Sequence, residues 1–256
     1  MKYTPYRDGY SVLPGLHKLD NLPIFERDEH YDYYLAEKKN ACANQKVFLE
    51  HDISAAIYLK ICNFIIGQVP GLTGPFTFES IALQLQEDLA IHRYGEEKDW
   101  LAACHVCFPS SWLPEEKIGR SLSMIHEPVP GIRLENSLKM VHSVIHHGPY
   151  YRFVWGPIFE KQINFHPSIK RRGFDPDNPL VYVKVERQII VGFPDEESFL
   201  FILRQHLIEP QELDYPALYK ACKEMNEAQR KYKGVTQPLL DYLQTKSKNS
   251  PPNHVD

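Results

Sequence analysis

The sequence predicts an α+β fold built on an antiparallel sheet. Three observations carry this expectation: alternating strand patterns crowd the second half of the chain, short helical segments separate them, and helix-patterned extensions occupy the ends. With 256 residues, 43% of them hydrophobic, the chain can bury a sizeable core as one large domain with extensions. The expected division is an arm at 1–45 packed on the body, a core at 46–209, a helical extension at 210–246 and a disordered tail at 247–256.

In order, residues 1–45 are rich in Pro, Tyr, Asp and His, with Pro14-Gly15-Leu16 and Leu22-Pro23-Ile24 as apolar anchors beside turns, and read as irregular. Asp52 is a good N-cap for the apolar run Ile53–Ile65, a largely buried helix that ends by Gly67. Phe78–Ile91 reads as a helix running into an extended segment. Its Glu87-Asp88 pair projects in different directions, so a solvated or capping role competes with a functional one. Leu101–Phe108 has the length and apolarity of a strand and stops at Pro109.

A helix can begin at Pro114, with Glu115 and Glu116 favouring its N-terminal dipole and Lys117 and Arg120 its other end. His126 then precedes Glu127-Pro128-Val129-Pro130-Gly131, where each proline fixes its own φ and restricts its neighbour. A metal ligand needs such a stiff frame, although a packed turn histidine has the same sequence. Leu134–His147 is helical by spacing, with Gly148 as its C-cap, and puts His142 and His146 on one face without a third ligand in register.

Tyr150–Pro157 alternates, with Tyr150, Arg152 and Val154 opposite Tyr151, Phe153 and Trp155. Lys170–Pro179 is a polar loop that could instead dock a partner. Leu180–Val191 is the clearest strand: Val181, Val183, Val185, Arg187, Ile189 and Val191 share one face, and Lys184, Glu186 and Gln188 lie on the other. Arg187 interrupts an apolar face, which demands a carboxylate from a protein acid or a ligand. After a turn at Pro194–Glu197, Ser198–His206 returns antiparallel as a strand or begins a helix, and from Pro210 the pattern is helical.

Net charge is −4, so no basic field draws the chain to nucleic acid or anionic membrane. No apolar run reaches membrane-spanning length, and Met1–Arg7 lacks the apolar core of a signal peptide; the expected location is the cytoplasm. Five cysteines argue for a reducing compartment. Cys104-His105-Val106-Cys107 has CxxC spacing, but Cys42, Cys62 and Cys222 stand alone in sequence, so strand cysteines of the core are expected.

Four short motifs occur in order: Glu87-Asp88-Leu89, Ile125-His126-Glu127-Pro128-Val129-Pro130-Gly131, Arg152-Phe153-Val154-Trp155 and Val185-Glu186-Arg187-Gln188. Over roughly 14–243 the chain resembles the alpha subunit of the haem-dependent oxidative N-demethylases. The resemblance implies a haem-binding PAS fold for the core and an O2-dependent oxidation of a small secondary amine, dimethylamine in the family, to a primary amine and formaldehyde. It implies haem b on His126, with Arg152, Arg187, Lys117 and Arg120 binding the cofactor and Glu186 and Arg187 in catalysis. It further implies a separate reductase carrying flavin and an iron-sulfur centre. This chain has neither a GxGxxG turn nor four-cysteine cluster spacing. Val154 stands where the family pattern has asparagine, which keeps a second reading open: a haem-binding sensor or gas-binding module without turnover.

Overall fold

In chain order, the elements of the computed structural model, which describes residues 3–13, 15–132 and 134–249, begin with strand β1 (His17–Lys18), helix α1 (Tyr31–Asn44), β2 (Phe48–Glu50), α2 (Ala55–Gln68), α3 (Phe78–Ala82), β3 (Asp88–Tyr94) and β4 (Asp99–His105). Then come α4 (Pro114–Lys117), α5 (Leu122–His126), α6 (Ser137–His147), β5 (Tyr150–Ile158), β6 (Tyr182–Phe193) and β7 (Ser198–Ile208). Helices α7 (Tyr215–Glu224), α8 (Glu227–Lys233) and α9 (Gln237–Asn249) close the chain. The strands form one sheet in the order β1-β5-β6-β7-β3-β4-β2, antiparallel at every pairing. The antiparallel α+β expectation is met.

Residues directly opposite in an antiparallel sheet share a face. One face of the central strands therefore carries Phe153, Arg187 and Arg204 in line, and the other carries Val154, Glu186 and Gln205. The first face is buried twice over: α2 and α3 pack Ile57, Ile61, Ile65 and Ile81 against Ile189 and Ile202, and α7 and α9 pack Leu218, Cys222, Leu240 and Leu243 around Val183, Val185 and Trp155. Helices α4 to α6 lie over the second face, where Val141, Val144 and Ile145 of α6 meet Ile190 and Phe199. This close approach needs Gly192, since a Cβ there would sit 1.9 Å from the Ile145 carbonyl oxygen.

Several local expectations are corrected. The first 45 residues are not irregular throughout, because α1 fills Tyr31–Asn44. Its buried positions are Tyr34, Lys38 and Ala41, so the middle of its inward stripe is a lysine and no apolar period marks it. Lys38 Nζ donates to the carbonyls of Ala82 and Glu87 and pairs with Asp88 at 3.4 Å. Ser54, not Asp52, caps α2, accepting from the Ile57 amide at 3.4 Å, while Asp52 turns the chain at φ +47°. Glu87 and Asp88 are wholly buried rather than solvated.

Ser198–Ile208 is a strand, and α9 runs three residues past the expected end of the helical extension at 246. Pro14 and the end of the expected tail, 250–256, lie outside the described residues. Among the described residues, no helix is long and apolar enough to cross a membrane.

Candidate functional site

Between α5, α6 and the second face of the sheet lies a pocket that opens to solvent. Its walls are apolar: Leu122 from α5, Met140, Val141 and Val144 from α6, and Ile190, Phe199 and Phe201 from the sheet. Three polar side chains interrupt them, His126, Arg152 and Gln188. An apolar pocket with few, convergent polar groups is the usual form of a small-molecule or cofactor site.

His126 is the last residue of α5, and the short helix is held from three sides. Ser121 caps it, accepting from the Met124 amide at 3.3 Å. Asp99 Oδ2 accepts from the Leu122 amide at 2.6 Å, and Lys117 Nζ donates to the Ile125 carbonyl at 3.1 Å. His126 itself directs Nδ1 to the Leu122 carbonyl at 2.9 Å, so Nδ1 carries the proton and Nε2 keeps its lone pair. Burial, and after it the Arg152 charge, lowers the His126 pKa against the opposing pull of that bond, and the neutral imidazole is favoured. A neutral imidazole with one nitrogen tied to a backbone carbonyl is the arrangement metal-ligating histidines adopt.

Beneath α5, His92 Nε2 lies 2.6 Å from Asp99 Oδ2, and the His92 ring stacks on Phe199 at 5.1 Å. Burial lowers the His92 pKa, whereas Asp99, despite its own burial, is held below the usual carboxylate range by His92 and the Leu122 amide. His92 is therefore neutral and donates to an ionised Asp99. The sequence reading missed this pair, because residues seven apart on neighbouring strands meet only once the register of β3 on β4 is known.

Arg152 and Gln188 face each other across β5 and β6, and Glu186 is the next residue along the same face. Glu186 accepts from Gln205 at 2.7 Å, from Gln188, and from Ser110 Oγ at 3.1 Å, and Ser110 Oγ in turn accepts from Lys184 Nζ at 2.6 Å. Burial alone would raise the Glu186 carboxyl. Lys184 and these hydrogen bonds outweigh it and hold the carboxyl below its ordinary value. Burial pushes Lys184 and Lys233 down to about 8 each, with Glu186 opposing the shift in both.

The remaining expectations separate. Arg187 is fully buried on the face turned away from the cavity, with Nε 3.8 Å from Glu26 and its amino groups donating to the Pro23 and Ile24 carbonyls. Strand alternation puts it there, and the carboxylate it required belongs to the protein; it does not reach a ligand in the cavity. Lys117 braces α5 and Arg120 is exposed, and neither lines the cavity. His142 and His146 lie on the surface with ring centroids 4.3 Å apart.

A family model described as haem-dependent oxidative N-demethylase, alpha subunit-like, matches residues 63–238, more than half of the chain. The matched region holds His126, Arg152, Glu186 and every strand from β3 to β7.

Proposed function

The chain belongs to the haem-dependent oxidative N-demethylase, alpha subunit-like family, and from that premise we propose that its cavity holds haem b and that the protein oxidatively demethylates a small secondary amine of the dimethylamine kind. The observation that carries this reading is His126, whose Nδ1 bond to the Leu122 carbonyl leaves Nε2 as a ligand at the wall of an apolar cavity. The residues present fit such a group: one neutral imidazole, hydrocarbon walls, and Arg152 as a cation for a propionate. The PAS-like description of the core fits a sheet with helices over the ligand-binding face.

When bound, the haem iron supplies the one-electron and dioxygen chemistry. The protein's own residues do the rest. His126 Nε2 would hold the iron, and Asp99, Ser121 and Lys117 keep α5 from drifting. Phe199, Phe201 and Ile190 exclude water. Glu186, held ionised, complements the charge of an ammonium substrate, and the Gln188 amide links it to the cavity wall. Lys184 Nζ, at about 8, can exchange a proton near neutral pH through Ser110 Oγ. Electrons come from a separate reductase bearing flavin and an iron-sulfur centre, in keeping with an alpha-subunit-like chain that works in the cytoplasm.

One observation favours the second reading, a haem-binding sensor without turnover. Val154, the direct neighbour of Glu186 on β5, offers no polar group where the family pattern has asparagine. The test is an absorption spectrum of the purified protein, oxidised and dithionite-reduced, with and without amine, followed by a formaldehyde assay with a reductase. We expect one haem per chain, a Soret band that moves on reduction and on adding amine, and amine-dependent formaldehyde. Gas binding without formaldehyde would favour the sensor. Full haem and an unchanged spectrum in His126→Ala would refute the ligand assignment.

A further inference from the structure

On the face of the sheet turned away from the cavity, three donors from distant parts of the chain converge. Cys42 on the last turn of α1, His105 at the end of β4 and Cys107 just beyond it bring two sulfurs and an imidazole nitrogen within 4.8 Å of one another. Cys42 thus does not stand alone, and the two cysteines of the CxxC spacing part, as core cysteines do: Cys104 packs with Ala90 and Val106 in the cluster under α4 and α5, while Cys107 lies beside Cys42. We propose that Cys42, His105 and Cys107 form a zinc site that clasps α1 to the sheet.

The donor set is the first support. Two thiolates and an imidazole are ligands that zinc takes in tetrahedral sites, and the present spacing needs only small side-chain rotations to close on one ion. His105 supplies the second. It is fully buried, its Nε2 has no hydrogen-bond partner, and its Nδ1 has the Cys107 thiol at 3.9 Å, beyond a good bond to nitrogen. The Nδ1 lone pair has only that long contact with sulfur, and a cation between Nδ1 and the two sulfurs would take it up, with the ring proton staying on Nε2.

Charge is the third. Zinc with two thiolates is neutral, and the adjacent Lys38–Asp88 pair is neutral by itself, so the filled site adds no net charge to the interior. Zinc takes thiolates, so its binding releases the thiol protons and strengthens with pH. Cys42 is exposed and Cys107 is buried, so solvent reaches the site from the α1 side and a water could complete the shell.

The test uses the full chain, purified with reductant, equilibrated with zinc and dialysed. Metal content is measured by mass spectrometry and the shell by zinc-edge X-ray absorption, which haem iron does not obscure. We expect about one zinc per chain with Zn–S distances of about 2.3 Å. In Cys42→Ser/Cys107→Ser, occupancy should fall at least about tenfold with the Soret spectrum unchanged. Cys42→Ala alone, at an exposed position, should also lose zinc and guards against a folding artefact. Zinc no higher than in the double variant, an oxygen-only shell, or a Cys42–Cys107 disulfide that persists under reductant would each overturn the proposal.

Discussion

Asp99 Oδ2 lies 2.6 Å from His92 Nε2 and 2.6 Å from the Leu122 amide, so a single carboxylate oxygen on β4 joins the sheet to the helix that carries His126. Asp99→Ala leaves the buried His92 donor without an acceptor, at a cost of about 1–3 kcal/mol, and frees the part-buried Leu122 amide as well. Haem retention should fall about tenfold, and Asp99→Asn, which keeps an oxygen acceptor, should recover part of it. The check is haem titration by absorbance. Because the folded pKa of Asp99 is depressed, its stabilising effect is present above the ordinary carboxylate range and disappears as pH falls through the lower folded value.

Arg187→Met should destabilise the fold by about 3–5 kcal/mol, since it takes the guanidinium from a buried Glu26, to which Tyr3 still donates, and from two carbonyls. The haem spectrum of the protein that still folds should be unchanged. Urea unfolding and the Soret band measured on the same sample check both halves; a moved Soret band would mean that Arg187 acts on the ligand after all.

Lys233 carries a pH signature. Its folded pKa of about 8 lies below the ordinary lysine value, so between about 8 and about 10.4 the unfolded chain binds more protons than the folded one. Stability of the wild type relative to Lys233→Met should therefore rise with pH through that window, by at most about 1.4 kcal/mol per pH unit for one proton and less where solvent screens the amine. Below the window the difference should be flat. Paired urea titrations at several pH values measure it.

Gly192→Ala drives a methyl group into the Ile145 carbonyl, 1.9 Å away. Helix α6 must lift from β6, at about 1–3 kcal/mol as in other overpacked sites. Because α6 supplies Met140, Val141 and Val144 to the cavity, haem should also dissociate faster. Stopped-flow transfer of haem to an acceptor protein would show it.

The strands were legible wherever residues alternate on a half-buried surface: Tyr150–Ile158 and Tyr182–Phe193 appear about where the period-2 pattern put them, with Arg152 opposite Phe153 and Glu186 opposite Arg187 in facing, while the face the two strands share needed their register. The proline frame drew attention to His126, but it is α5, held by Asp99, Ser121 and Lys117, that sets it in the cavity wall. What sequence could not reveal was partnership across the chain. Arg187 announced a need for a carboxylate but not which one, and Glu26 is 161 positions earlier. Helix α1 was hidden because Lys38 occupies the centre of its inward stripe, satisfied by carbonyls and an acid that arrive with α3 and β3.

The acids that neutralise the two buried arginines set an order of assembly. Asp28 meets Arg204 across 176 positions, with Oδ2 2.8 Å from the guanidinium, and Glu26 meets Arg187 in the same way. The hairpin of β6 and β7 forms from local contacts, but its guanidinium face stays wetted until the first thirty or so residues return to cover it. During synthesis those residues emerge before β6 and β7 and meet their arginines only when most of the sheet has followed. Loop closure on that scale makes docking of the leading segment a late step in folding. A truncation that removes residues 3–28 would thus leave a sheet with two uncompensated cations, a species prone to hold partner chains or chaperones rather than cofactor.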